Sequence, residues 1–222
     1  MQSTAIANEE VAISFVPNTG YTKSPTITII NVTTNEELPY SVSEAGDVTF
    51  VMPESDVNIT TIFNPISIGE VVDLGLPSGL LWSNMNIGAT APEGYGNYYA
   101  WGETDTKDTY TWNNYKYGNS ASTLTKYNST DGLTTLEFTD DAAAVNWGGT
   151  WRMPTTDEFT ELRENCIWTW TTLNDINGYE VKSKTNNNSI FLPAAGYRND
   201  GGSTSEVGSG YYWSGLLYAA VP

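Results

Sequence analysis

Short apolar stretches that alternate with polar residues dominate the first third of the chain. Val11-Ala12-Ile13-Ser14-Phe15-Val16, Thr26-Ile27-Thr28-Ile29-Ile30, Val48-Thr49-Phe50-Val51-Met52 and Val57-Asn58-Ile59-Thr60-Thr61-Ile62-Phe63 are runs of β-branched residues and Phe. Several place apolar side chains at every second position, the pattern of a strand with one face buried. Asn18-Thr19-Gly20, Glu44-Ala45-Gly46-Asp47 and Pro53-Glu54-Ser55-Asp56 supply turns between them. Four or five strands in residues 1–64 predict a small all-β, sandwich-like module, near the lower size limit for a self-standing core.

The pattern changes after Asn64-Pro65, a turn-forming step that predicts a domain boundary between 1–64 and 65–222. Val71-Val72-Asp73 and Leu80-Leu81-Trp82 are strand-like pieces around a Pro77-Ser78-Gly79 turn. From about 90 to 135 the chain is rich in Gly, Tyr, Asn and Thr and shows little periodicity. A loop region that long is either functional or packed by its own side chains. Two helices follow. Thr139 or Asp140 can cap the first, beginning at Asp141-Ala142-Ala143-Ala144-Val145. The second carries a capping box, Thr155 with Glu158, followed by an apolar stripe of Phe159, Leu162 and Cys166. Arg152, just upstream, is placed to tie a carboxylate or carbonyls at that helix start. The chain then returns to β at Tyr179–Lys182, Ser189–Pro193 and Gly210–Gly215. The predicted fold class of the second segment is therefore α+β.

Composition narrows the chemistry. The chain has 222 residues, 26 Asp and Glu against 9 Lys and Arg, and a formal net charge of -17. That balance disfavours nucleic acid and anionic membrane surfaces as partners. There is no histidine, which removes Ser-His-Asp and Cys-His catalysis and His-ligated zinc. The single Cys166 excludes an intrachain disulfide and a CxxC redox pair, and on its apolar stripe it reads as a small buried hydrophobe. No apolar run approaches the ~18 residues a membrane helix needs. The start, Met1-Gln2-Ser3-Thr4-Ala5, shows no signal peptide, which leaves localisation open at this point. All eight Trp lie beyond residue 64.

Several motifs together carry a family resemblance. They are Asp73-Leu74-Gly75-Leu76-Pro77-Ser78-Gly79-Leu80-Leu81-Trp82, Tyr98-Tyr99-Ala100-Trp101-Gly102-Glu103-Thr104, Asn146-Trp147-Gly148-Gly149-Thr150-Trp151-Arg152-Met153-Pro154, Phe191-Leu192-Pro193-Ala194-Ala195-Gly196-Tyr197-Arg198 and Tyr211-Tyr212-Trp213-Ser214. In this order the set resembles the Fibrobacter succinogenes major paralogous domain of Bacteroidetes surface proteins, over residues 70 to 218. The resemblance implies a C-type-lectin-like fold, two helices on a twisted, mostly antiparallel sheet with long loops. It also implies a secreted, lipoprotein or outer-membrane-surface location. Members of that family continue beyond the Tyr-Trp-Ser motif to further strands. Here the chain runs on only to Tyr218-Ala219-Ala220-Val221-Pro222, so an exposed sheet edge is expected. The stretch from Tyr40 to Thr60, with its Phe50-Val51-Met52-Pro53 and Asp56-Val57-Asn58-Ile59 ending, resembles internalin B-type repeats, which implies a spacer or stalk unit.

Three sets of candidate site residues follow. Trp101, Trp112, Tyr115 and Tyr117 in the loop region, with Tyr211 and Tyr212 later, offer aromatic faces beside Asn and Asp, suited to stacking on sugar rings. The alternative is that these rings hold the loops down from within, which weighs more for Trp101 than for Trp112, Tyr115 and Tyr117. Glu103, Asp105 and Asp108 are hard oxygen ligands for calcium, as are the amides of Asn186-Asn187-Asn188, but no EF-hand spacing is present. Paired carboxylates would permit histidine-free glycoside hydrolysis, yet Asp140, Asp141 and Glu158 read as helix-start residues. The expectation is a non-catalytic adhesion or recognition protein that needs no cofactor and binds a glycan or protein ligand at a cell surface. A structural stalk or fimbria-associated subunit completed by a partner strand stands beside it, and a glycosidase behind both.

Overall fold

The computed structural model describes residues 5–15, 25–43, 47–63, 68–198 and 203–217. The turns expected at Asn18–Gly20 and Glu44–Gly46, the Asn64-Pro65 step and the end at Tyr218–Pro222 lie outside the described residues, as does Val16. The chain divides into two compact units, Met1–Ile66 and Ser67–Pro222. The described residues contain mostly strands, in several small antiparallel sheets, with two α-helices.

In the first unit β1 (Glu10–Ile13), β4 (Val48–Val51) and β3 (Tyr40–Val42) form one antiparallel sheet with β4 central. β2 (Thr26–Asn31) pairs with β5 (Val57–Ile62) in another. Alternation decides which side chains go inward: Ile27 and Ile29 of β2 and Val48 and Phe50 of β4 are buried, while their neighbours face out. Val11, Ile13, Leu38, Met52, Val57 and Ile59 pack around these four to complete one small core. Asn31 closes the turn after β2, its Oδ1 accepting from the N–H groups of Thr33 and Thr34.

The second unit opens with the hairpin β6 (Val71–Asp73) and β7 (Leu81–Ser83). After the long loop region comes α1 (Ala142–Trp147). Its cap is Asp141, not Thr139 or Asp140: Asp141 Oδ1 accepts from the N–H groups of Ala143 and Ala144, at 2.9 and 3.0 Å. Asp140 is drawn elsewhere, as described below. α2 (Thr156–Asn165) has the expected capping box from Thr155 and Glu158. Arg152 grips both Glu158 carboxylate oxygens, at 2.8 and 2.5 Å, and donates to the Met153 carbonyl.

From α2 the chain passes directly into β8 (Cys166–Leu173), then β9 (Ile176–Ser183) and β10 (Ser189–Pro193), an antiparallel sheet with β9 central. Asn174 and Asp175, both at positive φ, form the two-residue turn of the β8–β9 hairpin. Gly178 lacks a side chain where one is impossible: a Cβ there would lie 2.6 Å from the Phe191 ring of β10. β11 (Tyr197–Arg198) and β12 (Thr204–Ser205) make a last short pair. The strand expected at Gly210–Gly215 is absent. In that segment Gly210 makes one isolated bridge, to Gly196, Tyr211, Tyr212 and Trp213 are tied down by side-chain hydrogen bonds, and Gly215 is held by backbone bonds to Leu136 and Pro154.

One face of the β8–β9–β10 sheet presents Cys166, Trp168 and Trp170 of β8, Tyr179 and Val181 of β9, and Ile190 and Leu192 of β10. Leu162 of α2, with Leu74 and Leu76, covers the half that holds Cys166, Val181 and Ile190. The outer half, toward Trp170 and Tyr179, is left exposed. That half-covered sheet positions the candidate site.

Candidate functional site

The uncovered end of the sheet is the floor of a cleft of about 880 Å³, within the size range of small-molecule sites. Trp168, Trp170, Tyr179 and Leu192 line the floor. Trp170 and Tyr179 are direct cross-strand partners with ring centroids 5.0 Å apart, and Tyr179 meets Trp168 at 5.7 Å. Trp112, Asn114 and Tyr115 form one wall from the long loop; Tyr212, Trp213 and Ser214 form another. Lys107, Arg163 and Arg198 also line it, and among the described residues no carboxylate does. Trp112, Trp170 and Trp213 remain 46%, 47% and 56% exposed, so three indole faces stand open to solvent around one concavity.

Cross-loop hydrogen bonds from aromatic side chains hold the walls. Trp213 Nε1 donates to the Tyr99 carbonyl and Trp101 Nε1 to the Ser214 carbonyl, both at 2.9 Å. The Tyr212 hydroxyl donates to the Pro193 carbonyl at 2.8 Å, and burial pushes its phenol up to about 12. A second cleft, about 650 Å³, shares Tyr99, Tyr110, Arg198, Tyr212 and Trp213 with the first and adds Tyr211 and Glu103.

The six aromatic candidates therefore separate. Trp101, Trp112, Tyr115 and Tyr212 line the larger cleft. Tyr211 borders the smaller one, its hydroxyl donating to Glu206. Tyr117 is a correction: it is only 7% exposed and lies behind the wall. Its ring is the middle of an edge-to-face series from Trp112 through Tyr115, Tyr117 and Tyr127 to Trp101, with centroid separations of 5.0 to 6.0 Å. The sequence reading missed Trp168, Trp170, Tyr179, Arg163 and Arg198. The Trp-Thr-Trp alternation of 168–170 was the signal that could have found the floor.

Behind the wall sits a buried ionic hub. Asp140 is 2% exposed; its Oδ1 receives Lys116 at 3.0 Å, and its Oδ2 receives Lys126 at 2.5 Å and the Tyr127 hydroxyl at 2.7 Å. Burial alone would raise its pKa. Hydrogen bonds from Lys126, Tyr117, Tyr127 and Lys116 outweigh that and hold the carboxyl well below the usual range. Lys126 and Lys116 also sit over the Tyr127 and Tyr117 rings, at 5.0 and 4.8 Å.

The calcium candidates are arranged for other work. The Glu103 carboxylate is buried and taken by the Lys107 ammonium at 2.5 Å, and it accepts the Lys116 backbone N–H at 2.6 Å. Asp105 and Asp108 are exposed beside it. Asn186 and Asn188 both donate to the Asp73 carbonyl, at 2.9 and 2.8 Å, pinning their loop to β6. Among the described residues no group of three or more Asp, Glu or Cys side chains is placed to hold a metal ion. No helix there is long and apolar enough to cross a membrane.

No protein-family model, no curated protein and no solved structure matches this chain.

Proposed function

We propose that this chain is a non-catalytic recognition module that binds a saccharide in the aromatic cleft of its second unit. The observation that carries the reading is the ring of exposed Trp112, Trp170 and Trp213 around a concavity. Exposed indole faces are costly to leave in water and suit the C–H faces of sugar rings, while Asn114 and Ser214 can serve hydroxyls. Among the described residues the larger cleft offers no carboxylate to act as acid, base or nucleophile, and the chain has no histidine, which supports binding without turnover. Glu103 is engaged by Lys107, and binding in this reading needs no calcium. The resemblance to the Fibrobacter succinogenes major paralogous domain, with its C-type-lectin-like arrangement and surface location, belongs to the same proposal. Two helices, antiparallel sheets and a long loop region pinned by aromatic side chains are compatible with it.

The test is a glycan-array screen of the purified chain with calcium and again with chelator, repeated for Trp112→Ala and Trp170→Ala. Binding that survives chelator and is lost in both variants supports the reading; silence from a chain that still melts cooperatively overturns it.

A second reading has its own observation. β10 pairs with β9 on one side and, among the described residues, with no strand on the other. The ladder bonds of Asn188 and Ala194 to β9 fix the alternation, so Ser189, Phe191 and Pro193 turn their backbone groups away from β9; of these only Ser189 is exposed, while Phe191 and Pro193 are buried and the Pro193 carbonyl accepts from Tyr212 and Ala195. A structural subunit completed by a partner strand would use that edge. Ser189→Pro removes an outward N–H and spares the β9 ladder: it would weaken such pairing and leave saccharide binding intact.

A further inference from the structure

The charge around the larger cleft is opposite to that of the rest of the chain, and this bears on what it binds. Acids outnumber bases 26 to 9 overall, yet among the described residues the lining carries Lys107, Arg163 and Arg198 and no Asp or Glu. Lys107 is neutralised by Glu103. The two arginines are not neutralised: among the described residues neither has a carboxylate within salt-bridge distance.

Their hydrogen bonding is also incomplete. A guanidinium has five N–H donors in a planar fork that matches a carboxylate or sulfate edge. Arg163 spends one on Thr160 Oγ1, at 3.0 Å, and its side chain is exposed on α2. Among the described residues Arg198 makes one long bond, Nη1 to the Lys107 carbonyl at 3.4 Å, while its Nε is buried with no acceptor there. It is held in place by the Tyr98 ring, 5.5 Å from its Cζ. Trp168 Nε1, on the cleft floor, is a further buried donor without an acceptor. Orphaned buried groups are uncommon in folded proteins, and those bordering this cleft are all donors.

Resting on the saccharide reading above, we infer that the ligand is an acidic saccharide, whose carboxylate or sulfate is received by Arg163 and Arg198 while its rings stack on Trp112, Trp170 and Trp213. The negative field of the rest of the chain opposes any anion, so the contact is short-range. It depends on close hydrogen bonds rather than on steering, and ionic strength near physiological, with a Debye length of about 8 Å, screens the opposition more than the contact.

The experiment uses an array carrying uronic-acid, sialylated and sulfated glycans beside neutral ones. The strongest carboxylated hit is then titrated against its own methyl ester, which keeps the skeleton and removes the charge. Hits among the acidic glycans, about tenfold weaker binding of the ester, and a similar loss in Arg163→Gln are the expected results. Arg163 is exposed, so that variant folds; Arg198→Lys, keeping the charge and losing the fork, gives an intermediate loss. Hits confined to neutral glycans, still abolished by Trp112→Ala, would overturn the acidic preference and leave the saccharide reading standing. An ester that binds as well as the acid would do the same. Silence across acidic and neutral glycans, from a folded chain, would overturn both.

Discussion

The two ends of the aromatic series that begins at Trp112 behave differently although they are built from the same residue types. At its inner end Tyr117, Tyr127 and Trp101 are packed around the buried Asp140, and Tyr127 and Trp101 spend their polar atoms on protein groups. At its outer end Trp112 is half exposed and faces Trp170 and Trp213 across a cleft. Tyrosine and tryptophan serve as structure when their polar tips find protein partners, and as a binding surface when their faces do not. A substitution should therefore reveal which role a ring has, by unfolding the unit or by emptying the cleft.

The largest electrostatic effect is expected at the hub. Asp140→Asn takes the carboxylate from Lys116, leaves Lys126 with Glu137 alone and weakens the acceptor of the Tyr127 hydroxyl; with both lysines partly exposed it should cost about 2–4 kcal/mol. For a unit of this size that lowers Tm by roughly 10 °C. A thermal melt checks it, and a loss below about 1 kcal/mol would mean that the hub is not what holds the loops. The pH dependence follows from the same group. The carboxyl titrates below its unfolded value near 4, so its contribution is complete above that pH and is lost as pH falls through the folded value. Tyr127 works in the other direction. Burial and the Asp140 hydrogen bond push its phenol up to about 12, so its contribution is present below about pH 10 and is lost as pH rises toward 12. Denaturant titrations should thus show stability falling at both extremes, and Asp140→Asn should flatten the acid limb.

Thr155→Ala, which removes one half of the α2 capping box, should cost about 1 kcal/mol. Chemical denaturation measures it. The loss should leave the cleft's affinity almost unchanged, because Thr155 does not line the cleft and Arg163, the α2 residue proposed to meet the ligand, lies two turns further along the helix.

That helix was readable from the sequence because its signals are local: a cap, an acid three residues later and a stripe of period 3.6. The strands of the first unit were readable for the same reason, through alternation. β8 was not, because α2 passes into it at Asn165-Cys166 with no Gly or Pro between them, and Cys166 serves both the helix stripe and the first strand position. Tyr211-Tyr212-Trp213 looked like a strand by propensity, yet its hydrogen bonds run from side chains to Glu206, Pro193 and Tyr99. The cleft was half legible. Trp112 and Tyr115 stood out in the loop, but the floor depends on the register that sets Trp170 opposite Tyr179, and register is decided by pairing. Tyr117 differs from Tyr115 only in which side of one loop it faces, and nothing in its neighbours' chemistry announces that.

The smallest stability effect and the sharpest contrast meet at Trp112. Its indole closes the outer end of the aromatic series through one edge-to-face contact with Tyr115, and no residue of its own short helical turn, Trp112–Asn114, is buried. Removing it should change the melt by about 0.5 kcal/mol, the range of an exposed position. The same Trp112→Ala change strips one stacking face from the cleft and should weaken saccharide binding by about 1–2 kcal/mol, or roughly five- to thirtyfold. Tyr117→Ala should do the reverse, destabilising the unit by about 3–5 kcal/mol through the hole it leaves beside Tyr127 and Gly102. At a temperature where that variant is still folded, its affinity should stay close to that of the parent chain. If calorimetry found the two variants equal in both respects, the distinction between pinned and presented rings would fail, and the cleft would be an extension of the core instead of a surface for a ligand.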